Sequence, residues 1–148
     1  MNIDLMCKYQ ADLFAYACEK KDCSSSIFIK QFAYSNLAKR MDDEAYIYSA
    51  DDITKAYYSL TLEKKLNKGK QIYPLKIMSW IGYIMRYISY KYKYSTNYIY
   101  KKVKPRDLYG LYEAYHGLDN ELAATRIIEA YELKNNRNII DVAKKYYL

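Results

Sequence analysis

The sequence predicts an all-α fold: one compact bundle of about six or seven helices around a central buried helix near residues 74–90. Three observations carry this. Only four glycines and two prolines occur, few for the tight turns of a β-rich chain. Apolar residues recur at steps of three and four along most of the chain, the spacing of a helix face. The length of 148 residues suits a single domain, residues 1–148, large enough to be stable without a disulfide or metal. The apolar fraction includes 21 tyrosines, whose hydroxyls each need a hydrogen-bond partner or water, so the effective core is smaller than the composition suggests.

A first helix is expected from about Asn2, a plausible N-cap, to Lys20, with Leu5, Tyr9, Leu13 and Ala17 on one stripe. The run Ser24, Ser25, Ser26 caps a second, which carries Phe28, Ile29, Phe32, Ala33 and Leu37 and gives way to the acidic patch Asp42, Asp43, Glu44. Ser49 and Asp52 are spaced as a capping box for a third helix through Ile53, Ala56, Tyr57 and Leu60. Asn67 to Lys70 reads as a loop. Pro74 stands at the start of the central helix, where its missing N–H costs nothing. Along that helix Ile77, Ile81, Ile84 and Ile88 form one stripe and Trp80, Tyr83, Tyr87 and Tyr90 another. Ser79, Gly82, Arg86 and Ser89 make a small polar third face. Apolar over most of its circumference, the helix should be surrounded by neighbours. Ser95 or Thr96 caps a short helix ending before Pro105, and the next carries Leu108, Leu111, Tyr112 and Tyr115 and stops at Gly117. Asp119 caps a helix through Ala124, Ile127, Ile128 and Tyr131, and Asn138 opens a last one through Ile139, Val142 and Tyr146.

Net charge is +7 but unevenly placed. Residues 64–106 hold twelve Lys or Arg and no Asp or Glu, while the remainder carries twelve basic against seventeen acidic residues. Such segregation creates a field that attracts phosphate backbones, anionic lipid or an acidic protein face. Its densest part interleaves Lys91, Lys93, Lys101, Lys102, Lys104 and Arg106 with Tyr92, Tyr94, Tyr98 and Tyr100. That is the chemistry used to hold nucleic acid, with cations on phosphates and rings against bases. A helix-turn-helix layout also fits: the central helix as support, residues 91–95 as turn, and residues 96–104 as a short recognition helix whose first residues, Thr96 and Asn97, read base edges. The competing account is a Lys- and Tyr-rich composition with no binding role, of the kind AT-rich genomes produce. A membrane-surface role fits less well, because tyrosines and lysines alternate instead of taking opposite helix faces.

Catalytic chemistry finds little to build on. His116, the one histidine, lies at a helix end near Asp119, where an imidazole more simply meets the free carbonyls of the last turn. Cys7, Cys18 and Cys23 are odd in number and lack a C-x-x-C spacing, so neither a disulfide framework, a metal site nor a cofactor is expected. The pairs Asp42, Asp43 and Asp51, Asp52 are adjacent residues that point apart, and Lys68, Gly69, Lys70 lacks the spacing of a phosphate-binding loop. No signal-peptide pattern and no membrane-spanning stretch is seen, which with three reduced thiols gives an expectation of a cytoplasmic protein.

Two segments, residues 80–86 (Trp80, Ile81, Gly82, Tyr83, Ile84, Met85, Arg86) and residues 112–119 (Tyr112, Glu113, Ala114, Tyr115, His116, Gly117, Leu118, Asp119), resemble motifs of uncharacterised small helical proteins of Firmicutes found in loci similar to toxin–antitoxin modules. The resemblance spans about residues 74–131, with Met85 where that group would have an aromatic residue. It implies a cytoplasmic, bacterial, non-enzymatic accessory or antitoxin-like protein and carries over no catalytic residue. The expectation is therefore a binding or regulatory protein whose candidate contacts are Lys91, Lys93, Tyr94, Thr96, Asn97, Lys101, Lys102, Lys104 and Arg106. The partner would be nucleic acid or, alternatively, an acidic protein such as a toxin that the chain neutralises or scaffolds.

Overall fold

In the computed structural model, which describes residues 3–43, 52–63 and 69–133, eight α-helices and no strand are present among the described residues. They are α1 (Ile3–Lys20), α2 (Ser25–Ala33), α3 (Asn36–Asp42), α4 (Ile53–Glu63), α5 (Leu75–Tyr92), α6 (Thr96–Lys102), α7 (Pro105–Tyr115) and α8 (Asn120–Ala130). Four of them start the same way. Ser24, Ser35, Ser95 and Asp119 hold extended backbone and accept from the N–H three residues on, at 3.3, 3.0, 3.1 and 2.9 Å. Each side chain satisfies an amide that has no acceptor inside the helix. Asp107 closes the first turn of α7 by accepting from the Lys104 N–H at 3.1 Å, behind Pro105 at the first helical position.

The chain departs from the expected elements at several points. One helix was expected from the serine run through Leu37. Instead Ser35 breaks it and caps α3, its hydroxyl donating to the Phe32 carbonyl at 2.7 Å. Asp52 caps α4, accepting from the Thr54 N–H at 3.4 Å, whereas Ser49 lies outside the described residues. Pro74 does stand at the start of α5, as its N-cap. α7 does stop before Gly117, with His116 as its cap, but Gly117 does not take a left-handed conformation. The expected caps at Asn2 and Asn138, and the final helix, fall outside the described residues.

α5 is the central strut, packed most extensively along α1 and also against α6, α7 and α8. Close approach to α1 requires Gly82: a Cβ there would lie 2.7 Å from the Gln10 carbonyl oxygen and 2.9 Å from Cγ of Phe14. Gln10, fully buried, returns the contact by donating its side-chain amide to the Gly82 carbonyl at 3.0 Å. Phe14 of α1, Phe28 and Phe32 of α2 and Tyr57 of α4 form an aromatic core. Phe14 meets Phe28 and Phe32 edge-on at 5.4 and 5.1 Å, and Phe28 stacks on Tyr57 at 6.0 Å. The segment before α5 is tied down by backbone: the Ser25 N–H donates to the Gln71 carbonyl at 2.9 Å and the Tyr73 N–H to the Ser25 hydroxyl at 2.8 Å. Among the described residues no helix is long and apolar enough to cross a membrane.

Gly82→Ala sets two effects against each other. Helix propensity favours alanine by about 1 kcal/mol, but the new methyl meets α1 backbone, which cannot rotate away. Overpacking of this kind costs about 1–3 kcal/mol. A net loss of stability is expected, read as a lower urea midpoint with unchanged slope.

Candidate functional site

Most of the α5 face that looks polar in sequence is buried. Arg86 is completely inaccessible, and Ser89 and Gly82 are buried beside it. A guanidinium taken out of water must have its donors matched. Here Nε donates to Gln10 Oε1 at 2.7 Å, Nη1 to Asp42 Oδ1 at 2.8 Å and Ser89 Oγ at 3.2 Å, and Nη2 to Thr96 Oγ1 at 2.9 Å. The Tyr90 ring lies 5.1 Å from the guanidinium carbon. Asp42, whose side chain is 19% exposed, also accepts from the Thr96 hydroxyl at 2.6 Å and the Thr96 N–H at 3.1 Å. Ser89 donates onward to the Tyr94 carbonyl at 2.7 Å. One ion pair thus joins α1, α3, α5, α6 and the α5–α6 turn.

This arrangement separates the residues singled out from sequence. Thr96 and Tyr94 are buried, at 1% and 4% exposure, and Thr96 is bonded to the ion pair, so neither is presented to a ligand. The expected base-reading role of Thr96 and the helix-turn-helix layout are therefore set aside: the end of α6 that should enter a groove is the end tucked into the protein. Asn97 is half-buried. Lys93, in a left-handed conformation with φ 63°, ends α5 and lines an open cleft of about 490 Å³ with Asp42 and Asp43, where carboxylates offset its charge. Lys91 is exposed on the last turn of α5, and Lys101, Lys102, Lys104 and Arg106 are exposed at the end of α6 and the start of α7.

Lys104 and Arg106 converge with Lys30 of α2 around a cleft of about 320 Å³, lined also by Ser26, Gln71 and Tyr100, with no carboxylate in the lining among the described residues. Lys30 had no place in the basic segment read from sequence; only packing of α2 on α6 and α7 brings it there. The tyrosines of this region already have partners. Tyr94 and Tyr98 stack on each other at 5.3 Å, Tyr100 meets Tyr34 edge-on at 5.8 Å, and the Lys104 and Lys102 ammonium groups sit 4.4 and 6.0 Å from the Tyr100 and Tyr98 rings. These rings pack on one another and on the lysines.

The two segments behind the family resemblance meet across a third cleft, of about 390 Å³. It is lined by Lys76, Ser79, Trp80 and Tyr83 of α5, Tyr112 and His116 at the end of α7, Asn120 of α8 and Ala11 of α1. Tyr112 stacks on His116 at 4.1 Å and 7°, and Trp80 meets Tyr112 edge-on at 5.8 Å. His116 Nδ1 lies 2.6 Å from the Tyr112 carbonyl oxygen. A carbonyl only accepts, so that nitrogen carries a proton. Among the described residues no hydrogen bond joins His116 to Ser79 or to a carboxylate. All three cysteines are buried: burial pushes the Cys7 thiol to about 12 and Cys23 to about 11, and raises Cys18, which donates to the Tyr73 carbonyl at 3.0 Å. A nucleophilic thiol requires the opposite shift. No group of three or more metal-ligating side chains occurs among the described residues.

Two outcomes test these assignments. Asp42→Ala leaves the Arg86 guanidinium buried and uncompensated and is expected to cost about 3–5 kcal/mol, much of it recovered by pairing it with Arg86→Met; a loss below about 1 kcal/mol for the single variant would contradict the network's role. The folded Cys7 thiol keeps its proton to about 12, while an ordinary thiol releases it at 9.0. The folded state therefore holds more protons in that window, and its stability falls as pH rises through it. Cys7→Ala should flatten the alkaline limb of the stability profile relative to its neutral region.

No family model, no curated protein and no solved structure matches this chain.

Proposed function

We propose that this protein is a non-enzymatic binding protein that holds nucleic acid by its backbone, on a basic surface formed by Lys30, Lys101, Lys102, Lys104 and Arg106. The observation that carries the reading is the cleft where Lys104 and Arg106 are joined by Lys30, distant in sequence, with no carboxylate in the lining among the described residues. Lys101 and Lys102 extend the charge along α6. None of these five cations forms an ion pair among the described residues, so their field is available to phosphates. Because the neighbouring rings are engaged with each other and with the lysines, affinity should come from charge and vary little with sequence. Lys91 adds to the field from the end of α5, while Lys93 contributes less beside Asp42 and Asp43.

A second reading, an interaction module for an acidic protein partner, is favoured by one observation. Tyr34 and Tyr109 are exposed at 44% and 38%, and they touch Tyr100 and Tyr73, which line the same basic cleft. Displayed tyrosines beside cations are the composition of interface anchors. A regulatory, antitoxin-like role accords with either partner and rests on the resemblance of residues 80–86 and 112–119.

Binding to duplex DNA and to single-stranded RNA across a salt series separates the two. Five phosphate contacts on duplex predict a log–log slope of about −4.5. Lys101→Glu with Lys102→Glu should reduce that slope, and Lys30→Glu should weaken binding as much as Lys104→Glu does. Absence of binding at low salt, or indifference to Lys30, would overturn the nucleic-acid reading and favour the protein partner.

A further inference from the structure

We propose that the cleft between α5, α7 and α8 is a small-molecule site for a planar aromatic anion, an aryl or indolyl carboxylate. It is independent of the basic cleft and shares no residue with it. Three features argue for this ligand class. The wall is aromatic: Trp80 meets Tyr112 edge-on at 5.8 Å and His116 lies flat on Tyr112 at 4.1 Å, a continuous set of rings against which another ring can pack. The cleft's volume of about 390 Å³ suits a small ligand, and its open form leaves one face of that ligand in solvent.

The charge in the lining fixes the sign. Lys76 is an exposed lining residue, and among the described residues no carboxylate lines the cleft and Lys76 has no ion-pair partner. Rings alone would also suit an organic cation, but an ammonium in the lining repels one and attracts a carboxylate. Asp4 does not lie in the lining; its carboxylate accepts from the Tyr83 hydroxyl. That hydroxyl in turn accepts from the Asn120 side-chain NH₂ at 3.4 Å, which leaves the Asn120 amide oxygen to accept from a ring N–H. Lys76, Trp80 and Tyr83 follow at steps of four and three on α5, and Tyr112 and His116 at a step of four on α7, so two rigid helices present the site.

The single tryptophan provides the reporter, because its indole N–H gives one resolved signal in a ¹⁵N correlation spectrum. The probes are indole-3-acetate and its uncharged isostere indole-3-acetamide, titrated into the full chain. The Trp80 signal should shift saturably with the acetate, and the acetamide should bind about fivefold more weakly, the size of an exposed ion pair. Lys76→Ala, an exposed substitution, should abolish that preference, and Tyr112→Leu should weaken both probes. Neither substitution should change the salt slope of nucleic-acid binding, which keeps the two proposals separately testable. No saturable shift at millimolar acetate, or equal binding of acetate and acetamide to the unaltered chain, would overturn the assignment.

Discussion

A guanidinium that no water can reach is the constraint on which the arrangement of this protein depends. Removing an arginine from solvent costs several kcal/mol unless its donors are matched in direction as well as number. Arg86 meets that requirement only if Gln10, Asp42 and Thr96 come from three other helices to one point, beside Ser89 of its own helix. The packing of α1 on α5, the position of α3 and the entry of α6 are thereby linked. Gly82, one turn before Arg86, is the steric counterpart: without a Cβ, it allows α1 close enough for Gln10 to bond both the Gly82 carbonyl and the guanidinium.

The same ion pair decides what the surface displays. By taking the Thr96 hydroxyl and N–H, Asp42 turns the start of α6 inward, and the lysines at the other end of that helix face solvent together with those that open α7. A basic stretch continuous in sequence is thus divided. One part lies beside Asp42 and Asp43 and is partly neutralised, and the other gains Lys30 and is reinforced. Field strength at a surface depends on which charges converge in space, and here a cation from α2 matters as much as one within the segment.

The tyrosines illustrate how an amphipathic residue is assigned by its surroundings. Tyr57 is wholly buried and donates its hydroxyl to Asp22 at 2.6 Å, with burial and that carboxylate both raising its pKa. Tyr98 and Tyr100 pack against neighbouring rings and lysines, whereas Tyr34 and Tyr109 remain displayed. Composition alone makes all of them candidates for stacking on a ligand. Only their neighbours distinguish core from interface.

Local rules were enough to read the fold class and most helix starts. The serine and aspartate caps at Ser24, Ser95 and Asp119, the scarcity of glycine and proline, and the apolar stripes of α1 and α5 act within a few residues and are visible in the order of amino acids. The break at Ser35 was missed because Leu37 keeps the helical spacing across it, so periodicity and capping chemistry disagree there and the cap prevails. What tertiary structure alone decided is the inner face of α5 and everything joined to it. Arg86, Gln10 and Asp42 look like surface residues one at a time, since a charge is stable in the interior only with partners that sequence spacing does not reveal. For the same reason the basic cleft around Lys30 and the aromatic cleft around Trp80 exist only once distant helices are brought together.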